Sequence, residues 1–379
     1  MLVPRLQPFQ ESVFEQTNAQ AEAYDAINLG QGAPDFSGPQ AMLEIAQNEI
    51  AAGNNQYAPG RGMQVLREAI AHQRQVPVDD VIVTVGAAEG ISASCLALLD
   101  AEDEVILLEP YFDQYASSIA LAGASRVAVP LRRVGDTWDI DVPAIAAAIT
   151  PRTKMLILNT PHNPTGSVFS REGLEELAEV VAAHDLVVLC DEVYENIVFD
   201  GTHVRFAELP GMYEHTITVS SAAKSFNSTG WKTGWAVGPA RLIDPVVTAK
   251  QTMSFVGCTP VQPAVAHALN HEHTWLAALV AQLQHCRDVL QSALVDAGFR
   301  VFATPATYYV VADISPLGFT DAKEFCLRLP EIAGVGAIPV SAFVDDPSGW
   351  DTLVRFAFCK QPEVIDEAAR RIRRAFAEK

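Results

Sequence analysis

Positive charge is scarce in this chain. Its 379 residues carry 26 Lys and Arg against 46 Asp and Glu, a formal net charge of -20 at pH 7. Nucleic acid and anionic membrane surfaces would both be repelled, so neither is expected as a partner. No apolar run reaches the roughly 20 residues needed to cross a bilayer. Residues 1–10 hold one arginine and no apolar core, so no secretory leader is expected and a cytoplasmic location is. The six cysteines (Cys95, Cys190, Cys258, Cys286, Cys326, Cys359) are scattered, with no Cys-x-x-Cys pair. They read as small core hydrophobes in a reducing compartment, and no metal site is expected. The Gly-x-Gly-x-x-Gly fingerprint of dinucleotide binding is missing, which argues against a nicotinamide dehydrogenase. Internal repeats and low-complexity linkers are missing too. What is present is a hydrophobic content of 49%, enough for a sizeable core in two domains or in one with an appendage.

The apolar runs near 81–85, 104–108, 154–158, 186–190, 216–219 and 234–238 alternate with helical patterns such as 171–183. That alternation predicts a largely parallel α/β sheet. Polar or small residues follow the ends of these runs, where ligands bind in open α/β sheets. Gly86-Ala87-Ala88-Glu89 opens a helix after the first run, and a helix N-terminus offers free N–H groups to an anion. Phe112, after the second, either stacks on a planar ring or covers the sheet edge. Asn159-Thr160-Pro161-His162-Asn163-Pro164-Thr165-Gly166 is a stiffened loop with two amide side chains, and its His162 reads as structural. Asp191-Glu192-Val193-Tyr194 ends a fully apolar run. An acid there is costly unless paired, so Asp191 needs a partner such as a protonated heterocyclic nitrogen. Glu192 reads as an exposed or capping acid, and Tyr194 reaches the same ligand as Asp191.

The stretch 220–232, Ser-Ser-Ala-Ala-Lys-Ser-Phe-Asn-Ser-Thr-Gly-Trp-Lys, organises the rest. Lys224 follows a short strand among small residues with no acid nearby. Partial desolvation favours the free amine, which attacks carbonyls to form a Schiff base. Ser221 and Lys232 suit a phosphate; a plain structural lysine is the alternative. Beyond 272 the chain mixes strands (300–302, 308–313, 353–359) with a long helical pattern over 275–295, and looks like a second, smaller domain. Arg355 stands in an otherwise apolar strand and faces either a ligand carboxylate or a distant structural acid.

These motifs, in this order from about Asn28 to Lys360, resemble the class I/II pyridoxal-phosphate aminotransferases. To those above the resemblance adds Gly30-Gln31-Gly32 and Tyr57-Ala58-Pro59-Gly60. It implies the α/β fold type I of these transferases. A large domain, 38–271, would carry a mostly parallel seven-stranded sheet; a smaller α+β domain would combine 1–37 with 272–379. The implied cofactor is pyridoxal 5'-phosphate. Lys224 would form the Schiff base and move the proton, with Asp191 on the ring nitrogen. Tyr194 and Asn163 would meet the phenolic oxygen, and Phe112 the ring face. Ala87, Ala88, Ser221 and Lys232 would hold the phosphate, joined by Tyr57 from a neighbouring subunit, so a homodimer is implied. Arg355 would grip the substrate carboxylate, with Asn159 and the backbone near Gly32. Side-chain selectivity would come from residues near 10–36 and from the partner subunit.

Many members have arginine where Lys232 stands. Lysine there, with the runs 221–239, 337–343 and 353–360, resembles the branch of N-succinyldiaminopimelate and kynurenine/glutamine aminotransferases. The expected reaction is transfer of an amino group between L-glutamate and a 2-oxo acid or semialdehyde. N-succinyl-LL-2,6-diaminopimelate is the expected partner, in lysine and diaminopimelate synthesis. Broad kynurenine/glutamine/methionine transamination and carbon–sulfur β-elimination use the same residues and are the alternatives. A cofactor-sensing regulator is disfavoured because no basic DNA-binding module precedes the large domain.

Overall fold

The computed structural model describes residues 3–9 and 13–377. Residues 1, 2, 10–12, 378 and 379, expected in the small domain, and 10–12 also in the stretch expected to shape selectivity, lie outside the described residues.

Seven strands form the main sheet: β1 (Val81–Val85), β2 (Glu104–Glu109), β3 (Ser125–Pro130), β4 (Thr153–Asn159), β5 (Val187–Asp191), β6 (Thr216–Ser221) and β7 (Thr233–Val237). Their spatial order is β1-β7-β6-β5-β4-β2-β3. Only β7 runs antiparallel to its neighbours. The central strands are buried along their length, because helices cover both faces; this is why they read as unbroken Val, Ile and Leu rather than as alternation. The helix Arg171–His184 shows the local logic. Ser170 Oγ accepts from Gly173 N at 3.1 Å, Leu174, Leu177, Ala178 and Val181 bury one face, and Asp185 leaves the helix at φ +49°.

A second sheet of four strands comprises β8 (Arg300–Val301), β9 (Tyr309–Asp313), β10 (Ile338–Pro339) and β11 (Leu353–Ala357), in the order β8-β9-β11-β10. The N-terminal segment joins this half: Ile27–Asn28 pairs in parallel with Val335–Gly336. The cores cross the boundary between the sheets. Val193, Tyr194 and Ile197, after β5, pack in one cluster with Tyr308, Tyr309 and Phe356. Five of the cysteines are buried as expected, but Cys258 is exposed, on the loop after the helix Ala240–Met253.

Candidate active site

The C-terminal ends of the parallel strands converge on a cavity of about 240 Å³. Asn159, at the end of β4, lies in register with Asp191, at the end of β5. Ser221 ends β6, and a single helical turn, Ala222–Ser225, then carries Lys224 into the cavity. Gly86, with φ +73°, starts the helix Gly86–Leu98 directly after β1. Because β7 is antiparallel, its beginning lies at the same edge of the sheet. Thr233 therefore opposes Val85, and Lys232 arrives beside the helix start. A Cβ on Gly86 would sit 3.3 Å from Lys232 Nζ. Val85, at the N-cap, has no polar side chain to cap the first turn, and Glu89 Oε2 accepts from Val85 N at 2.7 Å rather than from the turn's own N–H groups, so those N–H groups and the ammonium converge on one spot, a favourable one for an anion.

At the base of the cavity Asp191 is buried. Tyr115 Oη donates to its Oδ2 at 2.7 Å and Val193 N to its Oδ1 at 3.2 Å. Burial pushes this carboxyl up to about 6, against the pull of these two donors and of the Lys224 charge. Lys224 is half-buried, its Nζ 5.8 Å from the Tyr194 ring centroid and 5.5 Å from that of Tyr308. Burial raises the Tyr194 phenol well above its ordinary range, reinforced by Tyr309. Its Oη lies 3.2 Å from Tyr309 Oη. From β11, Arg355 Nη1 donates to Asn163 Oδ1 and its Nη2 to the Gly30 carbonyl, both at 2.9 Å. Its buried Nε has no partner among the described residues. The guanidinium lies 4.0 Å from the Tyr309 ring centroid and 4.7 Å from that of Phe343.

Of the residues singled out in the sequence, Ala87, Ala88, Phe112, Asn159, Asn163, Asp191, Tyr194, Ser221, Lys224 and Lys232 line this cavity. Arg355 stands behind Asn163 and Tyr309. The Asn159 amide is committed to backbone: its Nδ2 donates to the Asp191 carbonyl and its Oδ1 accepts from Asn163 N. Gly32 is a contact point rather than a lining residue. A Cβ there would fall 2.1 Å from Tyr309 Oη, and its carbonyl accepts from Tyr308 Oη. Tyr57 lies outside the cavity, 82% exposed, its ring edge-on to Phe255. His162 is buried with Nδ1 2.7 Å from Thr165 Oγ1, in keeping with a structural role.

One reading is corrected. Glu192 is neither exposed nor capping; it is fully buried and ion-paired to Arg74 at 2.5 Å, with His203 Nε2 at 3.5 Å from its other oxygen. Arg74 also pairs with Glu195 at 2.6 Å. Burial works against the charged form, yet Arg74 and His203 hold Glu192 down at about 2. Consecutive side chains of a strand point to opposite faces, so Asp191 faces the cavity and Glu192 this ion cluster. The sequence reading also missed Tyr115, Gln114, Thr229 and Tyr309 in the lining. Tyr115 carried a signal: it lies on the first turn of the helix that follows Phe112, at the ligand edge of the sheet.

The sequence profile of the family "Aminotransferase class I and II" matches residues 24–372. The chain is 50% identical, over 98% of both chains, to the "probable N-succinyldiaminopimelate aminotransferase DapC" of Mycobacterium tuberculosis. It is 37% identical to the methionine aminotransferase of Escherichia coli, over 96% of this chain and 95% of that one. The solved structure of N-succinyldiaminopimelate aminotransferase from M. tuberculosis superposes with a TM-score of 0.97, covering 99% of this chain and all of that one. The lysine-bearing cavity therefore sits in a protein whose whole length follows one enzyme family: the chain belongs to the class I and II aminotransferases, of fold type I, and is an aminotransferase.

Proposed function

We propose that this enzyme uses pyridoxal phosphate to move an amino group between L-glutamate and a 2-oxo acid or semialdehyde. Its principal substrate in this reading is N-succinyl-LL-2,6-diaminopimelate. The observation that carries the proposal is the joining of Lys224 and buried Asp191 in one cavity, with Arg355, its Nε unpartnered among the described residues, held directly behind the lining residues Asn163 and Tyr309. The substrate choice is supported by 50% identity to the M. tuberculosis protein over nearly the whole chain.

The cavity fits the cofactor. Lys232 and the uncapped start of the helix Gly86–Leu98 suit its phosphate, and Phe112 flanks the space for a flat ring. Asp191 is costly to ionise without a cationic partner, which a protonated ring nitrogen provides. When bound, pyridoxal phosphate supplies an electron sink for the negative charge developed at the substrate α-carbon. Lys224 Nζ would take the α-proton and deliver it to the cofactor carbon on the far side of the transferred nitrogen, two atoms along. Asp191 keeps the ring nitrogen protonated. Asn163, whose Oδ1 is held by Arg355, keeps its Nδ2 for the ligand. Arg355 turns toward the α-carboxylate and fixes the α-carbon within reach of Lys224.

The similarity to the methionine aminotransferase supports broad-specificity transamination as a second reading. Mixing cofactor-loaded protein with single amino acids separates them. Rapid loss of the long-wavelength absorbance with L-glutamate and N-succinyl-LL-diaminopimelate, but not with methionine, glutamine or kynurenine, is the expected result. The reverse order overturns the substrate assignment. Lys224→Ala should lose turnover while remaining folded; sustained turnover without added amines overturns the role of Lys224.

A further inference from the structure

Tyr309 was not singled out in the sequence, yet it touches both halves of the site. It is buried at the start of β9 and lines the cavity. Its ring forms the shelf beneath the Arg355 guanidinium, at 4.0 Å. Its hydroxyl accepts from the Tyr194 hydroxyl at 3.2 Å. The same hydroxyl leaves no room for a Cβ at Gly32. The other titratable groups around the Tyr194 hydroxyl are Tyr308 and Arg355 from the second sheet's side, and Tyr115 and Lys224 from the main sheet's side.

A phenol hydroxyl has one proton to donate and lone pairs to accept with. When the Tyr194 proton points to Tyr309, the ligand side of Tyr194 is an acceptor. When an anionic oxygen stands before Tyr194, its proton turns to that oxygen. Tyr309 then rotates to donate in its place. Hydrogen bonds in such a chain polarise one another, so the second tyrosine makes the first a stronger donor.

We propose that Tyr309 is a positioning residue: its hydroxyl donates to Tyr194 and strengthens Tyr194 as the donor to the cofactor's phenolic oxygen, while its ring holds Arg355 flat. The inference rests on the cofactor reading above. It gives a single side chain two separable tasks, and it links cofactor electronics to substrate grip through one residue.

Tyr309→Phe separates the tasks, because the ring stays and the hydroxyl goes. The readout is the pH midpoint of the visible absorbance change of the loaded protein. A stronger donor favours the anionic oxygen and keeps this midpoint low. Tyr309→Phe should raise it by about half a unit to one unit, the scale of one neutral hydrogen bond. The KM for L-glutamate should stay within about twofold, since the shelf remains. Tyr309→Leu should raise the midpoint equally and also raise that KM about fivefold, because the cation loses its nearest aromatic face and keeps Phe343 at 4.7 Å. In a Tyr194→Phe background, adding Tyr309→Phe should shift nothing further. A Tyr309→Phe midpoint equal to wild type, or an undiminished shift in the Tyr194→Phe background, overturns the inference while the cofactor reading stands. Failure of the wild type to take up pyridoxal phosphate overturns both.

Discussion

Asp191 ends an apolar strand with a hydroxyl and one N–H as its nearest donors. Its carboxyl, pushed up to about 6 by burial, is above the ordinary value of 3.8. Such a group penalises the folded state when ionised. The penalty grows as pH rises from about 4 through 6 and is complete above that. For the cofactor-free protein this amounts to about 3 kcal/mol, two pKa units at 1.36 kcal/mol each. Asp191→Asn should therefore melt higher than wild type at pH 8 without cofactor, and the gap should close near pH 4. An equal melting temperature at pH 8 would show that the carboxyl is better solvated than its burial suggests. The need of Asp191 for a partner was legible, because a strand of Val, Leu and Cys leaves an acid at its end no water. The fate of Glu192 was not. Its partner, Arg74, lies 118 positions away, and Arg74 reads locally as the last residue of a surface helix.

At the level of elements, the six main-sheet strands read from the sequence lie within one or two residues of the observed ones, but the edge strand Ser125–Pro130, only partly buried and broken by polar residues, was missed. Fully buried parallel strands are continuous apolar runs bounded by Gly, Pro and Asn, and the pattern has little competition. Orientation is a different matter. Nothing in 233–237 marks β7 as antiparallel, yet that reversal puts Lys232 at the cavity. Its cost is a very close approach of backbones. A Cβ on Gly234 would lie 2.5 Å from the Gly86 carbonyl carbon and 2.6 Å from Ala87 N. Neither is the end of a flexible side chain, so the strand or the helix start must move. Gly234→Ala should destabilise the protein by about 3 kcal/mol, at the upper end for overpacking. It should also weaken cofactor uptake, since the displaced atoms are those of the anion site. Urea unfolding with the wild-type midpoint would contradict this.

At the scale of the whole molecule, the four-stranded sheet supplies Arg355 and Tyr309, and the seven-stranded sheet supplies Lys224 and Asp191. This division of labour was legible in outline from the late position of Arg355. Its seam was not, because Tyr309 reads as one more apolar strand residue. Tyr57 belongs to neither half of its own site. We propose that it serves the neighbouring copy in a homodimer. Mixing Tyr57→Ala with Lys224→Ala subunits then tests the sharing. Hybrids contain one site with both residues, so random re-pairing of impaired parents should restore about a quarter of wild-type activity. No gain over the parents would mean that each subunit works alone.

The charge pattern has a consequence for how substrates arrive. Lys224 and Lys232 line one cavity, with Arg355 behind its wall, in a chain whose net charge is -20. In about 0.1 M salt a field fades over about 10 Å, so the acidic exterior and the basic interior hardly overlap. A dicarboxylate drifting toward the protein meets weak repulsion, then attraction only over the last few ångströms. Short-range contacts, rather than the net charge, then carry the discrimination between one acid and another.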